Sequence, residues 1–210
     1  LTTMLVKIVN ERGEVVQGGQ KGEIVLGGPC ITKGYYKNDK ATQAVIRKDE
    51  QGVRWLNTGD LGYLDEDGYL YITGRKKYLI VLPGGKNVNP EMLESVLSQA
   101  ECVEELIAVP GYQKGAAGVK QEAVKAVVRP DWDRIQAETG LSREELENRP
   151  GIVKDFVWQD INKCQRSNQE LAGFEKIQSK NLIEIQIKEF TKTTTGKIKR
   201  NSYIETTHTL

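Results

Sequence analysis

Along residues 1–74 the apolar positions fall in short runs with a period near two, broken by glycine-rich turns. LVKIV (5–9), GEIVL (22–26), VRWLN (53–57), LGYL (61–64) and YLYIT (69–73) read as strands. Between them stand Arg12-Gly13, Gly18-Gly19, Gly27-Gly28-Pro29 and Asp65-Glu66-Asp67-Gly68, all turn signals. LGYLDEDGYLYI predicts a hairpin, with an Asp-Gly turn between two aromatic-rich strands. Within this part only Asp39–Arg47 has a helical pattern, so the expectation is a small barrel or a twisted sheet.

From residue 75 the pattern becomes mixed. Asn89-Pro90 supplies an N-cap and a first helical residue, and Met92, Leu93, Val96, Leu97 and Ala100 follow at helical spacing. LIAV (106–109) and AVKAVV (123–128) read as strands, and Ser142-x-x-Glu145 is a capping box. A long amphipathic helix is predicted from about Pro150 to Leu171, with Ile152, Val153, Phe156, Val157, Ile161, Cys164 and Leu171 near one face. NLIEIQIKEF (181–190) alternates Ile183, Ile185 and Ile187 and predicts one more strand. The whole is α+β: a small β-barrel-like subdomain, residues 1–76, then a mixed α/β domain, residues 77–210, with a short sheet flanked by helices. Trp55, Trp132 and Trp158 read as packing residues.

Composition removes several functions. Thirty Lys and Arg stand against 29 Asp and Glu, far from the basic excess of a general nucleic-acid binder. Cys30, Cys102 and Cys164 are odd in number and far apart, and His208 is the lone histidine. A metal site or a disulfide framework is not expected, a reducing cytoplasm fits, and a histidine-based hydrolase is disfavoured. No apolar run reaches the roughly 20 residues of a membrane span, although contact with a membrane surface stays open. The chain opens on Leu1-Thr2-Thr3 and enters a strand-like run almost at once, as a piece of something longer would.

FTKTTTGKIKR (190–200) resembles a phosphate loop and fails that pattern at both ends. Thr191 stands where the first glycine belongs, and Ile198 follows Lys197 where Ser or Thr is needed. Three stretches stand out together: NTGDLG (57–62), GRKKYLIVLPGGKNVNPEMLE (74–94) and TKTTTGKIKR (191–200). As an ordered set, with GEIVLGGPCITKGYY (22–36) upstream, they resemble the C-terminal part of the AMP-forming acyl-CoA synthetases, the adenylate-forming enzymes. GRKK and LIVLPGGKNV look most like bacterial long-chain fatty acyl-CoA synthetases. The resemblance runs over nearly the whole chain.

The resemblance implies a two-step reaction in which a carboxylate and ATP give an acyl-adenylate and pyrophosphate, and coenzyme A then displaces AMP. Asp60 and Arg75 would bind the ribose of ATP or AMP, a carboxylate accepting from two hydroxyls and a guanidinium donating beside it. Lys197 would be catalytic, reaching the reacting carboxylate and phosphate during adenylation. Lys77 matches the family's hinge position, and Gly84, Gly85 and Lys86 would face coenzyme A. Fatty acid, ATP and coenzyme A are the implied partners, with Mg²⁺ held by an acid not found in this chain. Two departures are visible: Thr191 where proline is common, and Tyr78 where Asp or Asn is common. The family's ATP phosphate loop and acyl pocket are expected upstream, so an inactive fragment is expected. A fatty acyl-AMP ligase, a carrier-loading adenylation domain, or a non-catalytic binding module of the same fold are the alternatives.

Overall fold

The computed structural model describes residues 4–114 and 118–204; His208 lies outside the described residues. The chain divides into two compact units, Leu1–Tyr78 and Leu79–Leu210.

The first unit is built on one antiparallel sheet. Its strands are β1 (Leu5–Val9), β2 (Val15–Val16), β3 (Gly22–Gly27), β4 (Ile46–Lys48), β5 (Arg54–Leu64) and β6 (Leu70–Arg75), in the order β2-β1-β3-β5-β4, with β6 also paired to β5. Helix α1 (Asp39–Val45) precedes β4 and is capped by Asn38, whose side-chain oxygen accepts from Ala41 N. The sheet curls as a half-barrel and stays open, so the expected barrel is only partly realised. The two runs VRWLN and LGYL are one strand, not two. In β5, Asn57 pairs with Val25 and Leu61 with Glu23, so Thr58, Gly59 and Asp60 together oppose the single residue Ile24. This is a bulge, which bends a strand without ending it. The predicted hairpin is present, with Asp65 Oδ1 accepting from Asp67 N and Tyr69 N in its turn. Tyr63 and Tyr71 are cross-strand partners and stack at 5.0 Å. A 3₁₀ turn, Lys76–Tyr78, closes the unit.

The second unit opens with a two-stranded ribbon, β7 (Ile80–Leu82) and β8 (Lys86–Val88), and helix α2 (Pro90–Leu97). Strands β9 (Val103–Lys114) and β10 (Lys120–Pro130) then form a long antiparallel pair. Helices α3 (Trp132–Thr139), α4 (Arg143–Glu147) and α5 (Pro150–Ser167) follow, then β11 (Ile183–Ile185), parallel to β10, and α6 (Asn201–Ile204). The alternation of β9 and β10 sets two faces. Leu106, Ala108, Ala126 and Val128 face the main core with Leu93, Leu97, Val153, Val157 and Ile161 of α2 and α5. Ile107, Val109 and Val127 point the other way and meet Phe190, Ile198, Tyr203 and Ile204 of the tail. Trp132 is buried in the core, and Trp158 is partly buried against it.

Three predicted elements are shorter in the structure. Helix α1 ends at Val45, not Arg47, because the backbone turns extended at Ile46, and Ile46 and Arg47 belong to β4 paired with β5. The long helix ends at Ser167, not Leu171, because Asn168 turns extended and its side-chain oxygen accepts from Glu170 N and Leu171 N. Leu171 is nevertheless buried. The last strand ends at Ile185, and Ile187 is exposed. Its partner β10 ends at Pro130, which has no N–H to offer a longer ladder.

Candidate functional site

In the first unit the bulge in β5 delivers Asp60. Thr58 Oγ1 donates to Ile24 O at 2.7 Å and accepts from Asp60 N at 3.0 Å, tying both ends of the bulge to β3. Asp60 is the direct cross-strand partner of Arg75 on β6, and Arg75 Nε lies 2.7 Å from Asp60 Oδ1. The side chains are 29% and 47% exposed, respectively. An exposed ion pair of this kind contributes only about 0–1 kcal/mol, so fold stability is a poor reason for it.

Glu23, which sequence reasoning passed over, holds this corner together. It is 9% exposed, and its carboxylate accepts from Lys76 Nζ at 2.8 Å, Gly59 N at 3.3 Å and Asn57 Nδ2 at 3.5 Å. It therefore joins β3, the bulge and the start of the 3₁₀ turn. An open depression beside it is lined by Tyr35, Arg47, Asn57, Thr58, Asp60 and Lys76, among others. The only forecast of Glu23 in the sequence was its place as a charge inside a predicted strand, where burial would demand a partner. Lys77 sits in the 3₁₀ turn with its ammonium 4.8 Å from the Tyr78 ring centroid.

In the second unit, Gly84 and Gly85 turn the chain between β7 and β8. Gly85 N donates to Leu82 O, and the two glycines have φ of 79° and 73°. A Cβ on either would meet nothing within 4 Å, so the left-handed backbone, not crowding, asks for glycine there. Lys86 lays its ammonium 4.9 Å from the Phe174 ring centroid.

Lys197 lies on a small hairpin. Thr193 N donates to Lys197 O, Gly196 N to Thr193 O, and Lys197 N to Thr193 Oγ1, with Gly196 at φ 80°. Lys192 and Ile198 form a bridge below this turn, and Lys199 N donates to Thr191 O. The Lys197 side chain is exposed, and no carboxylate among the described residues pairs with it. So the predicted residues resolve into Asp60 with Arg75 in the first unit, and the Gly84–Lys86 turn and the Lys197 hairpin in the second. Among the described residues no three His, Cys, Asp or Glu gather as metal ligands. No helix among them is long and apolar enough to cross a membrane.

No protein-family model matches the chain. It is 48% identical over 86 residues to a 2-succinylbenzoate–CoA ligase of Oceanobacillus iheyensis, covering 41% of this chain and 17% of that protein. It is 39% identical over 129 residues to a long-chain-fatty-acid–CoA ligase of Bacillus subtilis, covering 60% of this chain and 22% of that protein. Among solved structures, the o-succinylbenzoate CoA synthetase of Bacillus subtilis, in complex with its acyl-adenylate intermediate, superposes with a TM-score of 0.63 at 26% identity. That match covers 95% of this chain and 33% of the other. The chain thus spans about a fifth of the length of the curated relatives it matches. Long-chain fatty acid ligases are one of several kinds found, so the likeness is wider than the sequence suggested. The homologues and structural neighbours of this chain are AMP-forming acyl-CoA and aryl-CoA ligases, and what it resembles is their C-terminal part.

Proposed function

We propose that this chain is the C-terminal part of an AMP-forming acid–CoA ligase, with a long-chain fatty acid as the substrate. The observation that carries the reading is the Asp60–Arg75 pair, two charges set opposite one another at the surface of a half-barrel where they add little to stability. In the proposed reaction a carboxylate oxygen attacks the α-phosphorus of ATP and pyrophosphate leaves. The thiol sulfur of coenzyme A then attacks the acyl carbonyl carbon and AMP leaves. Asp60 accepts from the ribose hydroxyls, and Arg75 donates beside it through the nitrogens its ion pair leaves over. Lys197 brings a cation to the carboxylate and the phosphate as charge concentrates between them. Gly84 and Gly85 offer open backbone to the pantetheine arm, with Lys86 beside them. Mg²⁺, which would steady the phosphates, is assigned to an acid outside this chain.

The similarity to the Bacillus subtilis long-chain ligase supports the fatty acid assignment. The exposure of Leu70, Tyr71 and Ile72 on β6, and of Tyr69 just before it, supports a first unit that completes a larger domain, residues 1–76 being its last β part and 77–210 the mobile domain. Three free cysteines support a cytoplasmic setting. Adenylation is assigned to a longer polypeptide that would carry the ATP phosphate loop and the acyl pocket.

The test is Lys197→Ala in the full-length ligase, with the two half-reactions measured apart. Adenylation of palmitate, followed by ATP–pyrophosphate exchange, falls by roughly 10²–10³-fold, the usual loss for one preorganised electrostatic contact. Thioester formation from supplied acyl-AMP is nearly unchanged. Equal loss in both half-reactions would remove the role given to Lys197, and a preference for aryl acids over palmitate would remove the fatty acid.

A further inference from the structure

The tail hairpin is fastened at both of its ends, and the fastening on its C-terminal side is an ion pair. Arg200, three residues beyond Lys197, donates from one terminal nitrogen to Glu94 Oε1 at 2.6 Å and from the other to Glu94 Oε2 at 2.7 Å. The first nitrogen also donates to Ala108 O at 2.6 Å. Glu94 Oε1 in turn accepts from Ala108 N at 2.6 Å. The two side chains are 10% and 17% exposed, far more enclosed than the Asp60–Arg75 pair.

Ala108 explains why this pair is where it is. It lies mid-strand in β9, the edge of the three-stranded sheet, so one row of backbone groups on β9 has no neighbouring strand. Buried edge groups must find partners. The Arg200–Glu94 pair satisfies both the N–H and the C=O of Ala108, as a further strand would. Glu94 belongs to α2, so helix, sheet edge and tail meet at one carboxylate. Lysine has no fork to reproduce three such bonds. On the other side of the hairpin Phe190 is buried against Ile107, Val109 and Val127. Tyr203 packs edge-on to Phe190 at 5.0 Å, and its hydroxyl accepts from Thr191 N at 2.9 Å.

We infer that Arg200 and Glu94 form a latch that fixes the hairpin bearing Lys197 to the open edge of β9, and that they are positioning residues for Lys197. The catalytic half of this inference rests on the adenylation role proposed for Lys197; the latch itself does not.

Amide hydrogen exchange in the 210-residue chain tests the latch without any assay of activity. In Arg200→Gln, the amides of Gly196, Lys197 and Lys199 exchange about tenfold faster or more, the scale of losing hydrogen bonds to a charged group. Amides of Lys125 and Val127 in β10, which face β9, keep their protection. Glu94→Gln gives the same pattern more weakly, and Arg200→Lys does not restore the hairpin. Unchanged hairpin exchange in both variants would overturn the latch. So would an equal rise in hairpin and β10 amides in both variants, because a pair that only holds the unit together would produce that. In the full-length ligase, Arg200→Gln slows adenylation about tenfold or more while transfer from supplied acyl-AMP stays within about threefold. Loosened hairpin amides with unslowed adenylation would leave the latch standing and overturn the role of Lys197 instead.

Discussion

At Cys102, burial first and the facing carboxylate of Asp160 second oppose the thiolate, and the thiol is pushed up to about 11 from its ordinary 9.0. A group whose folded pKa is raised favours the fold fully below the unfolded value and loses that contribution as pH climbs through the folded one. The window is therefore pH 9 to 11, and the loss is up to about 2–3 kcal/mol. Chemical denaturation at several pH values, with Cys102→Ala beside the unsubstituted chain, measures it. The substitution also changes packing, but that offset does not depend on pH. A steeper fall in the unsubstituted chain above pH 9 is expected, and parallel curves would contradict it. The same environment makes Cys102 slow toward alkylating reagents at neutral pH, and exposed Cys30 the first to react. Single residues are also where the sequence was least legible. Asp60 and Arg75 stood in recognisable motifs and do meet across a ladder. Glu23 and Glu94 stood in ordinary strand and helix text, and only the fold reveals what each carboxylate gathers. Their partners lie 34 to 53 residues away for Glu23 and 14 and 106 away for Glu94, distances at which no local pattern carries information.

Elements with strong local signals were readable. The capping box at Ser142 forms as written, with Ser142 Oγ and Glu145 Oε2 serving each other's backbone N–H groups. The Ser142 N–H, and after it the Ser142 hydroxyl, both donate to the Glu145 carboxylate and lower its pKa from the ordinary value. What was not readable is where a pattern outlasts its element. Side-chain competition at Asn168 stopped a helix whose apolar spacing continued, and a proline on the partner strand stopped β11 while the isoleucines still alternated. Conversely, the bulge at Thr58–Asp60 joined two apparent strands into one, because a bulge breaks the period of two without breaking the ladder. The turn between β7 and β8 gives the prediction at this scale. Gly85→Ala must place a Cβ on a backbone at φ 73°, where open space spares it a clash but not the strain. A loss of about 1–2 kcal/mol is expected, read as a lower denaturation midpoint with an unchanged slope. A midpoint equal to that of the unsubstituted chain would mean that the turn readily relaxes to another conformation.

Across the molecule, the division into Leu1–Tyr78 and Leu79–Leu210 puts Lys77 in the last turn of the first unit. The proposed ligase needs one half-reaction to follow the other at the same nucleotide, with the Lys197 hairpin engaged in the first and the Gly84–Gly85 turn in the second. If Lys77 is the hinge, its backbone must change conformation between those states, and its ammonium need do no chemistry. Proline holds φ near −65° and restricts the residue before it, here Lys76, whose ammonium is tied to Glu23. Lys77→Pro in the full-length ligase is therefore expected to hold one arrangement. The adenylating one is favoured, because it gains the contacts of Lys197 with carboxylate and phosphate. Acyl-AMP formation then stays within about tenfold, or roughly 1.4 kcal/mol of barrier. Transfer to coenzyme A falls much further. A proline that merely weakened the 3₁₀ turn would lower both half-reactions and the melting temperature together. Measuring each half-reaction beside a melting curve separates the cases, and coenzyme A transfer at the unsubstituted rate would place the hinge elsewhere.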